Sequence, residues 1–136
     1  MFPNDELYAY AQRDGILFEA YSVLGSRDSA GHEGVHPAGG PELLEQEALI
    51  KVAEKYTKSP AQVCIRWALQ RHPHAVLLVK SCTPEHLKQD LDVTDFKLDD
   101  EDMKALDSLP RRRFVSGEIF LSPEGPYRTL QELWDE

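Results

Sequence analysis

A chain of 136 residues is long enough for one domain with a real core, and its 24 acidic against 15 basic side chains give a formal charge of -9 that opposes nucleic-acid binding. No stretch reaches the roughly 18 to 20 apolar residues of a membrane span and no basic segment leads into an apolar run at the start, so a cytoplasmic location without a membrane partner is expected. Cys64 and Cys82 form no CxxC pair, and the His72-Pro73-His74 stretch has no neighbouring cysteine or carboxylate pattern, so neither a disulfide framework nor a metal site is expected.

In chain order, Asn4 is placed to cap a first helix whose apolar positions Leu7, Tyr8 and Ala11 lie close together, and Asp14-Gly15 supplies its stop. Ile16 to Tyr21 reads as a strand, with Leu17, Glu19 and Tyr21 on one face and Ile16, Phe18 and Ala20 on the other. Ser22 to Ser26 then opens a stretch from Arg27 to Gly40 rich in Gly, Ser, Asp and His, a long loop of the kind that is either functional or disordered. A helix is expected from about Pro41 to Tyr56, with Leu49, Val52, Ala53 and Tyr56 as its apolar stripe. Ser59-Pro60-Ala61-Gln62 is a capping box with proline at the first helical position. The apolar residues Val63, Cys64, Ile65, Trp67, Ala68 and Leu69 that follow predict a helix buried broadly, stopping at His72-Pro73.

Next comes the most informative segment. Ala75 to Val79 is five apolar residues in a row and reads as a strand buried on both faces, as in parallel sheets. It delivers Lys80 and Ser81 onto a short helix, Pro84 to about Leu91, with Thr83 as N-cap. A cation beside the free amides and positive dipole end of a helix suits a phosphate, and in parallel α/β folds ligands sit at the carboxyl ends of strands. The bland alternative is an exposed lysine beside an ordinary capped helix. Asp99 caps a further helix with Met103, Leu106 and Leu109 on its apolar face. After Pro110, Arg111 to Arg113 begin a tail in which Thr129-Leu130-Gln131-Glu132 is a second capping box, with Leu130, Leu133 and Trp134 able to dock a last helical turn. Strand, loop, two helices and strand in this order make a parallel α/β pattern.

The ordered motifs Gly15-Ile16 through Ala20-Tyr21-Ser22-Val23-Leu24-Gly25-Ser26, Lys58-Ser59-Pro60-Ala61-Gln62-Val63, Arg66-Trp67, Val79-Lys80-Ser81 and Asp95-Phe96 resemble the C-terminal part of the aldo-keto reductases. The resemblance spans about residues 3 to 110 and implies an α/β fold: the C-terminal part of a (β/α)8 TIM barrel, two parallel strands with about five helices, too short to close the barrel. Residues 1–110 would then be the barrel part and residues 111–136 a C-terminal tail of the kind that lines the family's substrate pocket. The family reduces aldehydes and ketones with NADPH. By the same resemblance Tyr21 stacks on the nicotinamide, Ser22, Leu24, Ser26 and Asp28 belong to the loop over the pyrophosphate, and Lys80 and Ser81 contact the adenosine 2'-phosphate. His86 stands where the family usually has a phosphate-binding arginine, Gln89 and Asp90 where it has a glutamate and an asparagine facing the adenine, and Val23 where it usually has a proline. A mostly neutral histidine lacks the guanidinium fork, so NADP(H) is favoured over NAD(H) by Lys80 and weakened by His86.

No part of this chain matches the motifs around the family's catalytic aspartate, tyrosine, lysine and histidine, which the resemblance assigns to earlier strands. The expected function is therefore the NAD(P)H-binding portion of a carbonyl-reducing enzyme whose catalytic half is missing from the chain. A small carbonyl substrate is expected only if the barrel is completed. Truncation of a longer reading frame is the expected origin, and a non-catalytic nucleotide-binding or partner-binding remnant, or a subunit that completes its barrel with another chain, is the alternative. Leu17, Tyr21, Leu77 and Val79 would need partners that two strands cannot provide.

Overall fold

The computed structural model describes residues 4–25, 42–111 and 117–134. Its sheet has two parallel strands, β1 (Phe18–Tyr21) and β2 (Ala75–Leu78), in a register that pairs Phe18 with Ala75 and Tyr21 with Leu78. Helix α1 (Asp5–Arg13) precedes β1. Helices α2 (Glu47–Tyr56) and α3 (Pro60–Arg71) make the crossover, and α4 (Pro84–Leu91), α5 (Asp100–Asp107) and the single turn α6 (Leu130–Trp134) follow β2. The parallel α/β order expected from the pattern is present, with this last turn as the sixth helix among the described residues.

The core lies between the crossover helices and α5. Leu49, Val63, Cys64, Leu98 and Leu106 are fully buried, and Leu43, Val52, Ala53, Trp67 and Ala68 complete the cluster. The breadth of burial along α3 follows from its apolar residues recurring on nearly every side, whereas α2 buries only its Leu49, Val52 and Ala53 stripe. Burial pushes the Cys64 thiol up to about 12, which makes it a packing residue rather than a nucleophile.

Polar ties fix the helix ends. Ser59 and Gln62 close the reciprocal capping box that the spacing predicts. Arg71 grips Asp5 with Nε and Nη2 at 2.9 and 2.7 Å and reaches Asp107 with Nη1 at 2.7 Å, so one guanidinium joins α1, α3 and α5. Trp67 Nε1 donates to the same Asp107 at 2.8 Å. Between α2 and α5, Lys55 Nζ donates to Asp99 at 2.7 Å and Asp102 at 2.8 Å, while the Tyr56 hydroxyl donates to Asp102 at 2.7 Å and accepts from the Asp99 N–H at 3.1 Å.

This clamp predicts an acid response. Lys55 and the Asp102 N–H hold the Asp99 carboxyl down to about 2. A carboxyl depressed below its unfolded value, about 3.9, contributes stability that is present above that pH and is lost as pH falls through its folded value. Stability measured by urea titration should therefore drop between about pH 4 and about pH 2. Asp99→Asn, which keeps a good N-cap, should flatten that drop, and an unchanged slope would remove Asp99 from the acid transition.

The local expectations need five corrections, the last of them in the tail. Asn4 sits at the N-cap position of α1 but in the left-handed region (φ 52°) with no cap hydrogen bond, because capping requires extended backbone that aims the side chain at the first-turn amides. The helix expected from about Pro41 is divided: a 3-10 turn at Leu43–Glu45 ends at Gln46, whose extended backbone (ψ 126°) restarts the chain as α2, and Pro41 lies outside the described residues. Strand β2 is not buried on both faces. The crossover covers only its Ala75 and Leu77 side, leaving Val76 41% and Leu78 50% exposed. Thr83 is the N-cap of α4 by position only, since its side chain makes no cap bond.

In the tail, the Thr129 hydroxyl accepts from the Glu132 N–H at 3.2 Å, but the Glu132 carboxylate reaches back to the Arg128 N–H at 2.7 Å, one residue earlier than a capping box requires. Leu133 and Trp134 pack on Gly117, whose φ of 86° and contacts leave no room for a β-carbon: one placed there would lie 2.5 Å from Leu133 Cδ2.

Candidate functional site

Parallel pairing decides which loops share an edge. Because Tyr21 pairs with Leu78, the segments that follow, Ser22–Gly25 and Val79–Thr83, both leave the carboxyl end of the sheet. Tyr21 closes β1 on the face opposite the crossover helices and is 73% exposed. Ser22 then adopts φ 56°, and its carbonyl accepts the Gly25 N–H at 2.9 Å, closing a tight turn. Gly25 takes φ 89°, a conformation only glycine adopts without cost. Leu24 packs against the hydrophobic cluster and so anchors this turn to the core. Ser26 and Asp28 lie outside the described residues.

On the other loop, Lys80 is exposed and Ser81 is half-buried. The Ser81 hydroxyl accepts from the Thr83 N–H at 3.1 Å, shaping the entry to α4 in place of the side-chain cap expected from Thr83. Along α4, His86 is exposed, whereas Gln89 and Asp90 are half-buried. Burial pushes the Asp90 carboxyl up, and His86 one turn away draws it partly back. Five of the residues singled out in the sequence, Tyr21, Ser22, Leu24, Lys80 and Ser81, are thus distributed over the two adjoining loops and the last strand position of β1, and three lie along the helix that follows β2, while Ser26 and Asp28 lie outside the described residues.

What holds α4 in place was not legible as a functional feature. Gln62 Nε2 donates to the Asp92 carbonyl at 2.8 Å, Lys58 Nζ donates to the carboxylates of Asp92 and Asp95 at 2.9 and 2.8 Å, and the N-terminal end of α3 thereby fixes the exit of α4. The Lys58 to Gln62 motif is a tether for the helix that carries His86, Gln89 and Asp90. Its signal in the sequence is a glutamine at the third position of a broadly buried helix, but its partner lies thirty residues on.

The His72-Pro73-His74 stretch is built into the packing: the Tyr8 ring lies 4.2 Å from that of His72 and 5.5 Å from that of Phe18, and the Tyr8 hydroxyl accepts the His74 N–H at 3.3 Å. No grouping of three or more His, Cys, Asp or Glu among the described residues is arranged to hold a metal ion. No helix among them is long and apolar enough to cross a membrane.

A parallel βα edge with an exposed aromatic, a strained turn and a lysine before a helix entry is the architecture of a barrel wedge, and residues 1–111 match the aldo/keto reductase family. The chain belongs to that family. Aldo-keto reductase family 1 member A1 of Gallus gallus is 45% identical over 106 residues, covering 78% of this chain and 31% of the chicken protein. NADPH-dependent codeinone reductase 1-4 of Papaver somniferum is 35% identical over 130 residues, 96% of this chain and 38% of the poppy protein. Among solved structures, MGS-M4, an aldo-keto reductase enzyme from a Medee basin deep-sea metagenome library, superposes with a TM-score of 0.67 at 35% identity, covering 82% of this chain and 36% of that one. The chain therefore spans well under half of these relatives and matches their C-terminal portion. Its open two-stranded sheet is a part of the family's TIM barrel. Enzymes of the family are oxidoreductases that use nicotinamide cofactors.

Proposed function

We propose that this chain is the NAD(P)H-binding portion of an aldo-keto reductase-like enzyme that reduces aldehydes and ketones to alcohols, with the proton-donating half of the site supplied by earlier barrel strands. The observation that carries the reading is the shared carboxyl edge of β1 and β2, which sets the Tyr21–Gly25 segment beside the loop bearing Lys80 and Ser81. The residues present suit a dinucleotide. An exposed tyrosine ring at a strand mouth is a stacking surface for a planar nicotinamide. Ser22 is held at positive φ and shapes a turn whose backbone can approach a pyrophosphate. Ser26 and Asp28 would extend that loop.

Lys80 supplies the cation for a terminal phosphate, with Ser81 and the first turn of α4 beside it. His86, Gln89 and Asp90 lie further along the helix, toward the adenosine. NADP(H) is the favoured cofactor. When bound, the dinucleotide supplies the hydride; this chain's residues bind and orient it. The tail, residues 111–136, would face a small carbonyl substrate once the barrel is complete.

Titration of nicotinamide fluorescence tests the assignment. Lys80→Ala should weaken NADPH binding by roughly tenfold to a hundredfold, the value of one hydrogen bond to a charged group, and weaken NADH binding much less. Equal losses for both cofactors would reject the phosphate role. A parallel reductase assay separates the enzyme portion from a remnant: binding without turnover, even with the barrel completed, favours a non-catalytic nucleotide-binding protein.

A further inference from the structure

We propose that the Glu19 carboxylate biases the site toward the oxidised form of the nicotinamide. The inference rests on the cofactor reading above and adds to it a preference between the two redox forms. Glu19 stands on the exposed face of β1, two residues before Tyr21, so its backbone lies about 7 Å along the strand from the tyrosine that carries the stacking surface in that reading. Across the sheet Glu19 pairs with Val76 and Tyr21 with Leu78, and both of these partners are exposed on the same side. This face of the paired strands is therefore an aromatic and aliphatic surface with one carboxylate set into it. Among the described residues Glu19 forms no ion pair. Glutamate is depleted in strands, and the packing of β1 makes no use of the charge.

The two cofactor states differ where this charge would be felt. The oxidised nicotinamide ring carries a positive charge that the reduced ring lacks, whereas the phosphates are common to both forms. A carboxylate on the stacking wall attracts the oxidised ring and gives the reduced ring no such attraction. Its repulsion of the phosphates acts on both forms alike and cancels when they are compared. At a separation of about 8 Å, comparable with the spacing along the strand, opposite unit charges change a binding constant by roughly twofold in a water-like medium and roughly thirtyfold at the effective dielectric constant of a protein surface.

Isothermal titration calorimetry of the full chain with NADP+, NADPH, NAD+ and NADH tests the assignment. Glu19→Gln keeps the size and removes the charge at an exposed position, so the chain should stay folded while its preference for the oxidised form falls roughly twofold to thirtyfold. The same shift should appear in the NAD+ and NADH pair, because the 2'-phosphate takes no part in it, and it should shrink at high salt. Glu19→Asp retains the charge and should retain the preference. Glu54→Gln, at an exposed glutamate of α2, should leave the preference unchanged and so separates a local charge from the overall one. The proposal is overturned if Glu19→Gln leaves the preference unchanged or weakens both forms equally, if Glu19→Asp loses the preference, or if Glu54→Gln shifts it as much. Tyr21→Ala keeps the two readings apart. Should it leave every affinity untouched, or should the parent chain bind none of the four, the cofactor reading falls and the Glu19 assignment with it; binding that needs Tyr21 but ignores Glu19 removes the redox preference alone.

Discussion

Leu106→Ala should lower folding stability by about 2–5 kcal/mol, the cost of emptying a fully enclosed leucine site. Leu106 is 0% exposed and lies in the same cluster as Leu49, Val63 and Leu98, so α5 can shift only a little to fill the space. Domains of this size are held by about 5–15 kcal/mol, so the variant should be largely unfolded at moderate urea concentrations. The control is Leu91→Ala, which removes the same atoms from an 82% exposed site and should change stability by about 0.5 kcal/mol or less. Comparable losses for the two leucines would mean that the buried cluster between α2, α3 and α5 is not what holds the chain together.

The second large effect is expected at Gln62, which is 4% exposed and serves two masters. Its Oε1 accepts the Ser59 N–H at 2.9 Å and its Nε2 donates to the Asp92 carbonyl at 2.8 Å. Gln62→Leu keeps much of the volume but removes the acceptor of the Ser59 N–H and leaves the Asp92 carbonyl only the longer 3.4 Å bond from Lys58 Nζ, at a cost of about 1–3 kcal/mol. Gln62→Glu separates the two bonds: the carboxylate can still accept from Ser59, but it has no donor for Asp92 and places a negative charge against that carbonyl. Amide exchange should therefore accelerate in α4 for both variants, and at the start of α3 for the leucine variant alone. Unchanged exchange in α4 would show that Lys58 and its aspartates suffice to hold the helix.

These two residues show how differently the parts of the chain could be read. The stripe on α2, the capping box of α3, the Asp99 cap and the buried breadth of Val63 to Ala68 are short-range patterns, in which the residue and its partner lie within one or two turns. They were legible for that reason. The tether from Gln62 to Asp92, the Arg71 bridge over α1 and α5, and the Tyr56–Lys55–Asp102 clamp join residues 30 to 66 positions apart or on different elements, where spacing carries no signal. Burial of β2 misled in an instructive way: an uninterrupted apolar run records the environment of the complete barrel, and this chain covers only one side of it.

For the candidate site the division is similar. That Lys80 and Ser81 follow an apolar strand and precede a proline-started helix, and that Tyr21 ends another strand before a serine and glycine turn, are statements the linear order alone determined, since each involves neighbours in sequence. That the two segments share one edge, that Ser22 takes a strained turn with Leu24 as its anchor, that Ser81 rather than Thr83 shapes the entry to α4, and that one face of the sheet stands open were decided only by the tertiary structure. The physical reason is that strand register, loop strain and burial depend on which surfaces meet across more than fifty residues of intervening chain, and local propensity contains no term for that meeting.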